Sequence, residues 1–245
     1  MHFFNKFMNN PMCKNNCGRH PFICYLYAMK TKALFIVSML FCCLGSFAQN
    51  ADFPNAKRYE EENAAVTVRP RAVLLGDSIT QIWKDADPDF FTDNNFLDRG
   101  ISGQCTAQIL CRMRTDVIAL RPKYVVILAG INDVGLNTGA SRPKEIVENI
   151  ISMCELAKAN HIKPVLCALT PSTYIGWRPE AGDVTETVKD INAKLQAYAK
   201  AKHIKFIDYF EGLDFTANGP YTHDNVHPNA ACFKIMGEIL LKNLK

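Results

Sequence analysis

The sequence predicts an α/β fold in which a parallel β-sheet is covered by helices on both faces. Short apolar runs alternate with amphipathic segments throughout residues 71–245. The runs 72–75 and 124–129 are unbroken apolar stretches, as is typical of strands buried on both faces. Because a helical segment separates each strand from the next, we expect right-handed crossovers and therefore parallel strands.

Five strands and five helices follow from these patterns. The strands are expected at 72–75, 96–98, 124–129, 165–169 and 204–207. The helices are expected at 79–84, 106–120, 141–157 and 184–198, and after residue 228. Asp183 and Glu186 resemble a capping box for the fourth helix, and Pro228 can open the last one. Residues 85–95 are interpreted as a link, and residues 170–183 as a long irregular loop.

The first 48 residues differ from the rest, because they contain five Lys or Arg and no Asp or Glu. From Met29, two lysines precede the apolar run 33–44, and Ser46-Phe47-Ala48 supplies small residues for cleavage. We therefore expect a signal peptide at 29–48, an upstream extension without structure at 1–28, and an exposed lead-in at 49–70. A lipoprotein, with Cys42 or Cys43 as the lipidated residue, is ranked second. The run is too short to remain as a membrane span.

Net charge and cysteine usage narrow the class of protein. The whole chain carries +4, but removing the five basic residues of the leader leaves 23 basic against 24 acidic residues. No basic face then remains to indicate nucleic acid as a partner. The five later cysteines lack framework spacing and are expected to be free thiols, most of them buried. Cys13, Cys17, His20 and Cys24 lack paired metal-ligand spacing, so we predict neither a metal nor a cofactor.

Polar motifs follow the predicted strands and should meet at one edge of the sheet, where sites form in such folds. Ser78, in Gly76-Asp77-Ser78, follows the first strand, and Gly103 the second. Asn132 follows the third strand, and Asp224 with His227 follows the fifth. This placement makes Ser78 a candidate nucleophile beside the amide-rich start of a helix.

A serine nucleophile requires a base, and histidine has a suitable pKa. In Asp224-Asn225-Val226-His227-Pro228, a carboxylate three residues before an imidazole can orient the ring. The alternative is that Asp224 and His227 only cap the final helix. His223 is a competing base, whereas His161 and His203 fit structural positions at helix ends. Candidate donors to an oxyanion are the Ser78 and Gly103 N–H groups and the Asn132 amide. Taken separately, Gly103 could be only a turn glycine and Asn132 only a loop cap.

Together these four blocks, in this order, resemble the SGNH (GDSL-type) hydrolase superfamily over residues 70–245. The resemblance implies a flavodoxin-like three-layer sandwich with sheet order 2-1-3-4-5. It also implies Ser78 as nucleophile, His227 as base and acid, and Asp224 as the orienting carboxylate. The oxyanion donors implied are Ser78, Gly103 and Asn132.

Two positions depart from the family pattern. Ile79 stands where the name-giving pattern has leucine, and Gln104 stands where many relatives carry aspartate. The chain has no Gly-x-Ser-x-Gly elbow, which disfavours an α/β-hydrolase.

The function expected is a secreted or periplasmic serine esterase, and within that class a carbohydrate O-acetylesterase. Tyr174, Trp177 and Arg178, in the long loop, would suit a sugar ring, although such residues also serve local packing. One alternative is a lysophospholipase or thioesterase of the same superfamily. The other is a flavodoxin-like module that binds a glycan or phosphate without catalysis. The oligomeric state is left open.

Overall fold

The computed structural model describes residues 52–216 and 219–244. The predicted upstream extension, the signal peptide, Cys42, Cys43 and the four possible metal ligands near the amino terminus lie outside these residues. Among the described residues, no helix is both long enough and apolar enough to cross a membrane.

A five-stranded sheet forms the centre of the fold, and all of its neighbouring strands are parallel. The strands are β1 Ala72–Gly76, β2 Phe96–Gly100, β3 Tyr124–Leu128, β4 Lys163–Cys167 and β5 Lys205–Ile207. Their order is β2-β1-β3-β4-β5, which confirms the order implied by the resemblance. Every residue of β1 and β3 is buried, as expected for central strands covered on both faces.

Eight α-helices surround the sheet within the described residues. They are α1 Glu60–Ala64, α2 Ser78–Ala86, α3 Pro88–Asp93, α4 Thr106–Cys111, α5 Ile131–Val134, α6 Pro143–Ala159, α7 Thr185–Ala201 and α8 Ala230–Asn243. Helix α2 packs with α3 and α8, whereas α6 packs with α4 and α7. These two groups form the outer layers of an α/β sandwich, and the predicted fold class is confirmed.

Two local predictions about the region of α3 and α4 were wrong. The expected link 85–95 contains α3, which Asp87 caps by accepting from the Phe90 N–H, with Pro88 at the first position. The expected helix 106–120 is interrupted, since α4 ends at Cys111 and a π-helical turn, Arg114–Ile118, follows. This break lies beside the buried ion pair of Arg112 with Asp116.

Two predicted helix starts also need correction. Asp183 accepts from the Thr185 N–H, but Glu186 pairs with Lys189, so the capping box is not formed. Asn229, rather than Pro228, precedes α8 directly and caps it, because its side chain accepts from the N–H groups of Ala231 and Cys232. Pro228 instead forms a bridge with Thr222.

The five described cysteines are free, as predicted, and all except Cys111 are buried. Burial raises the pKa of Cys105 and Cys232 to about 11, and that of Cys154 and Cys167 to about 12. The buried thiols therefore remain protonated at neutral pH and act as small apolar groups of the core.

The lead-in is partly built into the fold rather than wholly exposed. Most of its side chains face solvent, but Tyr59 is buried. The Tyr59 hydroxyl donates to Asp98 Oδ2 at 3.0 Å and also to the backbone carbonyl of Gly100. Because Gly100 ends β2, this contact ties the lead-in to the edge of the sheet that carries the polar motifs.

Candidate active site

Ser78 lies where β1 turns directly into α2. It is the first residue of the helix, and Asp77 caps that helix by accepting from the Ile79 N–H at 3.0 Å. Ser78 is buried except for 8 % of its surface, so its hydroxyl is available only from one side. The first turn of a helix leaves its backbone N–H groups without helical acceptors, which favours negative charge nearby.

The hydroxyl of Ser78 is hydrogen-bonded to the imidazole of His227. The Oγ–Nε2 distance is 2.9 Å, although the two residues are 149 positions apart in the chain. His223, the competing base considered from the sequence, is exposed. His161 and His203 have φ angles of 59° and 52° and follow the ends of α6 and α7, as their expected structural positions require.

Asp224 holds the other side of the same imidazole. Its Oδ2 atom lies 2.6 Å from His227 Nδ1, while its Oδ1 atom accepts from the backbone N–H groups of His227 and Val226. An ionised carboxylate can only accept hydrogen bonds, so Nδ1 carries a proton. In the neutral ring, Nε2 is then the acceptor that faces the Ser78 hydroxyl.

The pKa values of this pair are shifted in opposite directions. Partial burial acts to raise the pKa of Asp224, but hydrogen bonds from the His227 ring and from two backbone N–H groups outweigh it and hold that pKa well below its usual range. The hydrogen bond to Asp224 raises the pKa of His227, against a smaller opposing effect of burial. The arrangement therefore stabilises a protonated imidazole next to the serine hydroxyl.

Asp77 is a second carboxyl group close to this site. Complete burial raises its pKa to about 7, although the Ile79 N–H and the charge of His227 act in the other direction. Its Oδ2 atom has no hydrogen-bond partner among the described residues. The group thus titrates in the range where a histidine base also operates.

The two candidate oxyanion donors other than Ser78 follow β2 and β3, with Gly103 in the loop after β2 and Asn132 in α5. Gly103 has a φ angle of 78°, a conformation in which glycine is favoured. Asn132 is 1 % exposed, and one hydrogen of its amide is donated to the Gln104 carbonyl at 3.1 Å. An amide nitrogen carries two hydrogens, so a second one remains available for an oxyanion.

Sequence reasoning missed the polar groups that support these loops. Asp133 accepts from both the backbone N–H and the hydroxyl of Thr106, at 2.8 and 2.7 Å. Gln104, flagged as a departure from the family pattern, accepts from buried Arg112 and donates to the Pro54 carbonyl. Arg112 also donates to the carbonyl of Gly76, the last residue of β1. The sequence signal for this support was Arg112, a charged residue among the apolar positions of the predicted helix 106–120.

The long loop contributes one of its three predicted residues directly to the site. The Trp177 ring lies 5.6 Å from the His227 ring, centroid to centroid, and is 40 % exposed. Tyr174 is 46 % exposed. Arg178 is instead paired with Glu180, and no contact of its side chain with Ser78, Asp224 or His227 occurs within the described residues.

Asn225 joins this loop to the Asp224–His227 segment, a role that the sequence did not reveal. Its Oδ1 atom accepts from the backbone N–H and hydroxyl of Thr173 and from the N–H of Tyr174. Its φ angle is 66°, a conformation that asparagine tolerates better than most residues. A polar residue between Asp224 and His227 was the available signal.

No group of three or more His, Cys, Asp or Glu side chains in the described part of the chain is arranged to hold a metal ion. The groups that do converge are a hydroxyl, an imidazole, a carboxylate and several hydrogen-bond donors. Such a set can transfer a proton from serine to histidine and stabilise the resulting charges.

Comparison with known proteins identifies the family of the chain. The model of the GDSL-like lipase/acylhydrolase family matches residues 74–235. The chain belongs to this family. GDSL-like acylhydrolases are ester-hydrolysing enzymes, so the predicted family and enzyme class are confirmed.

Two crystal structures resemble this GDSL-like chain over most of its length. A GDSL-like lipase from Bacteroides thetaiotaomicron VPI-5482 is 42 % identical, with a TM-score of 0.75, covering 79 % of this chain and 98 % of that chain. A protein from Bacteroides fragilis NCTC 9343 is 40 % identical, with a TM-score of 0.76, covering 80 % and 98 %.

A curated relative matches a shorter region of the GDSL-like chain. The Bacillus subtilis (strain 168) protein named uncharacterized lipoprotein YqeF is 35 % identical over 80 residues. The match covers 31 % of this chain and 33 % of YqeF, so the chain spans about a third of the length of that relative.

Proposed function

We propose that this protein is an exported serine esterase that removes acetyl groups from carbohydrate through an acyl-enzyme. The observation that carries the proposal is the hydrogen-bonded series Ser78 Oγ, His227 Nε2, His227 Nδ1 and Asp224 Oδ2, with distances of 2.9 and 2.6 Å. In this proposal Ser78 is the nucleophile, His227 the general base and acid, and Asp224 the orienting carboxylate.

The reaction proceeds in two halves. His227 takes the hydroxyl proton as Ser78 Oγ bonds to the ester carbonyl carbon, which forms a tetrahedral oxyanion. The imidazolium then gives its proton to the leaving alcohol as the carbon–oxygen bond breaks, leaving an acyl group on Ser78. A water molecule next loses a proton to His227 and attacks the acyl carbon, and release of the acid restores the hydroxyl.

Three donors are proposed to bind the oxyanion. They are the Ser78 N–H at the start of α2, the Gly103 N–H and the second hydrogen of the Asn132 amide. Support for this comes from the environment of each donor, since the Gly103 N–H donates to no acceptor among the described residues and Asn132 has one amide hydrogen left over. Fixed donors of this kind contribute most when they are oriented before the reaction begins.

The proposed substrate class depends on the aromatic groups of the long loop. Trp177 and Tyr174 are large and exposed, and the Trp177 ring lies against the proposed base. An aromatic face beside the reacting groups offers an apolar surface to the C–H face of a sugar, while the acetyl group points toward Ser78. Arg178 is the weakest of the three candidate substrate contacts, because its side chain pairs with Glu180.

Export is proposed from the predicted signal peptide at 29–48, with cleavage after Ala48 and a hydrolase domain at 71–245 behind the lead-in. The lipoprotein name of the YqeF relative supports an exported protein. Sequencing the amino terminus of the protein recovered from a secreting host tests this step. We expect Gln49 as the first residue, whereas a lipid-blocked Cys43 would favour the lipoprotein alternative.

A fluorophosphonate probe tests the catalytic proposal, because it reacts with an activated serine. We expect labelling of Ser78 and its loss in Ser78→Ala, together with a fall in esterase rate of at least about 10³-fold. Ser152→Ala is the matched control, since Ser152 lies on α6 and donates only to the Glu148 carbonyl. An unlabelled, folded native protein would instead support a non-catalytic binding module.

A substrate panel tests the finer part of the proposal. Acetylated xylan, short aryl acetates and lysophospholipid should be compared at equal concentrations of titrated Ser78. We expect turnover of acetylated xylan and aryl acetates. Turnover of lysophospholipid with none of acetylated xylan would overturn the carbohydrate assignment while leaving the serine esterase intact.

A further inference from the structure

Asn137 lies where three parts of the site meet. Its Nδ2 group donates to Asn132 Oδ1 at 2.9 Å and to the Gly103 carbonyl at 3.2 Å. Its Oδ1 atom accepts from Trp177 Nε1 at 3.0 Å. The indole N–H can only donate, so it determines which end of the Asn137 amide faces the long loop. The side chain thereby uses both of its amide hydrogens and its carbonyl oxygen.

These contacts determine the orientation of the two neighbouring donors. The Asn137 amide donates to the side-chain carbonyl oxygen of Asn132, while the Gln104 carbonyl accepts one of the Asn132 amide hydrogens. Rotating the Asn132 amide by half a turn would break both bonds. Asn137 also holds the carbonyl of Gly103, which restrains the exposed loop that presents the Gly103 N–H.

The third contact connects the same side chain to the aromatic loop. Trp177 contacts His227 through its ring and Asn137 through its N–H. We propose that Asn137 is a positioning residue that couples Trp177 to the groups that bind the oxyanion. This inference rests on the proposed function, because it requires Gly103 and Asn132 to act on the substrate.

Asn137 acts through its neighbours and does not touch the reacting atoms. Losing it should therefore misplace donors that matter only when charge develops on the substrate oxygen. Interactions made only in the transition state alter kcat, whereas interactions made equally with bound substrate alter KM. A small aryl acetate separates these effects, because it has no sugar to contact Trp177.

The first test is Asn137→Ala, assayed with an aryl acetate per mole of Ser78 titrated by the fluorophosphonate. We expect kcat to fall about 10- to 100-fold, somewhat less than the 10²–10³-fold loss typical of removing an entire oxyanion donor. KM should stay within about twofold. Asn160→Ala is the matched control: its amide donates to the Leu156 carbonyl at the end of α6, and kcat should not change.

The second test asks whether Trp177 and Asn137 act together. Trp177→Phe keeps an aromatic ring but removes the N–H that Asn137 accepts. In a double-mutant cycle, Trp177→Phe and Asn137→Ala should lower kcat by less than the product of their separate effects, because both break the same contact. Independent, multiplicative effects would refute the coupling.

Asn137→Asp covers the case in which Asn137→Ala does not fold. The aspartate keeps an acceptor for Trp177 but cannot donate to Asn132 or Gly103, so kcat should fall while tryptophan emission stays native. A kcat within twofold of native, in whichever variant folds, would overturn the inference. Failure of the native enzyme to label at Ser78 would instead remove the proposed function, and this inference with it.

Discussion

Asp224 and His227 are joined twice, once through the imidazole ring and once through the backbone. The ring Nδ1 atom lies 2.6 Å from Asp224 Oδ2, and the His227 N–H donates to Oδ1 at 2.7 Å. One carboxylate therefore sets both the local turn and the direction of the ring. The spacing of three residues thus allows both bonds to form within one loop.

Removing that carboxylate should change the pH profile as well as the rate. The hydrogen bond to Asp224 raises the pKa of His227 above its ordinary value, so in Asp224→Ala that pKa should fall. A base must be deprotonated to act, so the acidic limb of kcat/KM should move to lower pH while kcat falls by about 10³–10⁴-fold. Aryl acetate hydrolysis from pH 4.5 to 9 measures both changes. An acidic limb that stays in place would show that His227 is not the titrating group.

Asp77 should make folding stability depend on pH in the opposite direction from most carboxylates. Burial raises its pKa from 3.8 to about 7, so between these pH values the folded protein binds the proton more tightly than the unfolded chain does. Its contribution is therefore favourable at low pH and is lost as pH rises toward 7, by at most about 1.4 kcal/mol per pH unit.

Asp77→Asn should remove this dependence while keeping an oxygen that can accept from the Ile79 N–H. Urea denaturation at intervals from pH 4 to 8 measures the free energy of unfolding of both proteins. We expect the native protein to lose stability relative to the variant as the pH rises. Parallel curves would contradict a pKa of Asp77 that is raised in the folded protein.

Gly103 and Gly212 form a natural pair for testing the proposed oxyanion loop. Both have a φ angle of 78°, and a Cβ atom would meet nothing closer than 3.9 Å at Gly103 and nothing within 4 Å at Gly212. Because a positive φ strains a residue that carries a Cβ atom, alanine at either position should lower the free energy of unfolding by about 1–2 kcal/mol. Alanine keeps the backbone N–H, but relief of the strain at a positive φ would turn that N–H away from its native direction. Only Gly103→Ala should therefore also lower kcat, by about tenfold, if its N–H binds the oxyanion.

Melting curves and aryl acetate kinetics distinguish the two effects. Equal losses of stability with unequal losses of kcat are expected. A kcat for Gly103→Ala that matches that of Gly212→Ala would show that the backbone strain at Gly103 leaves its N–H in place or that the reaction does not depend on its direction.

The buried pair of Arg112 and Asp116 should be important to stability, because both side chains are almost fully buried, at 0 % and 1 % exposure. Arg112→Met leaves Asp116 without its cation and breaks the hydrogen bonds to Gly76 and Gln104, so we expect a loss of about 3–5 kcal/mol. Adding Asp116→Asn should recover part of that loss. Urea denaturation measures the free energy of unfolding of both variants. An Arg112→Met variant as stable as the native protein would contradict the prediction.

Much of the fold could be predicted because its signals are local. The apolar runs at 72–75 and 124–129 are buried strands, and the stripes on α6 and α7 face the core. The start of α3 was missed because residues 85–95 were interpreted as a link, since Asp and Pro are also frequent in turns. The interruption after Cys111 was missed because Arg112, the residue that follows α4, donates to the carbonyl of Gly76 in β1, and no periodicity encodes that contact.

The residues of the candidate site also fall into two groups, those that a local motif predicts and those whose role depends on distant partners. Ser78, Asp224 and His227 could be named because each lies in a short motif after a strand, and parallel strands bring such motifs to one edge. Asn137 and Asn225 could not be named, since an asparagine in a loop is ordinary until its partners are known. Their partners, such as Trp177 and Thr173, lie in another loop.

By itself, the sequence determined the sheet, the family and the identity of the candidate reacting groups, because hydrophobic periodicity and motif order are properties of neighbouring residues. Tertiary structure alone decided that His227 rather than His223 meets Ser78, that Arg178 turns to Glu180, and that Asn137 joins three loops. The physical reason is that hydrogen bonds depend on distances of about 3 Å between atoms. Only the packing of the whole chain brings residues 149 positions apart to that separation.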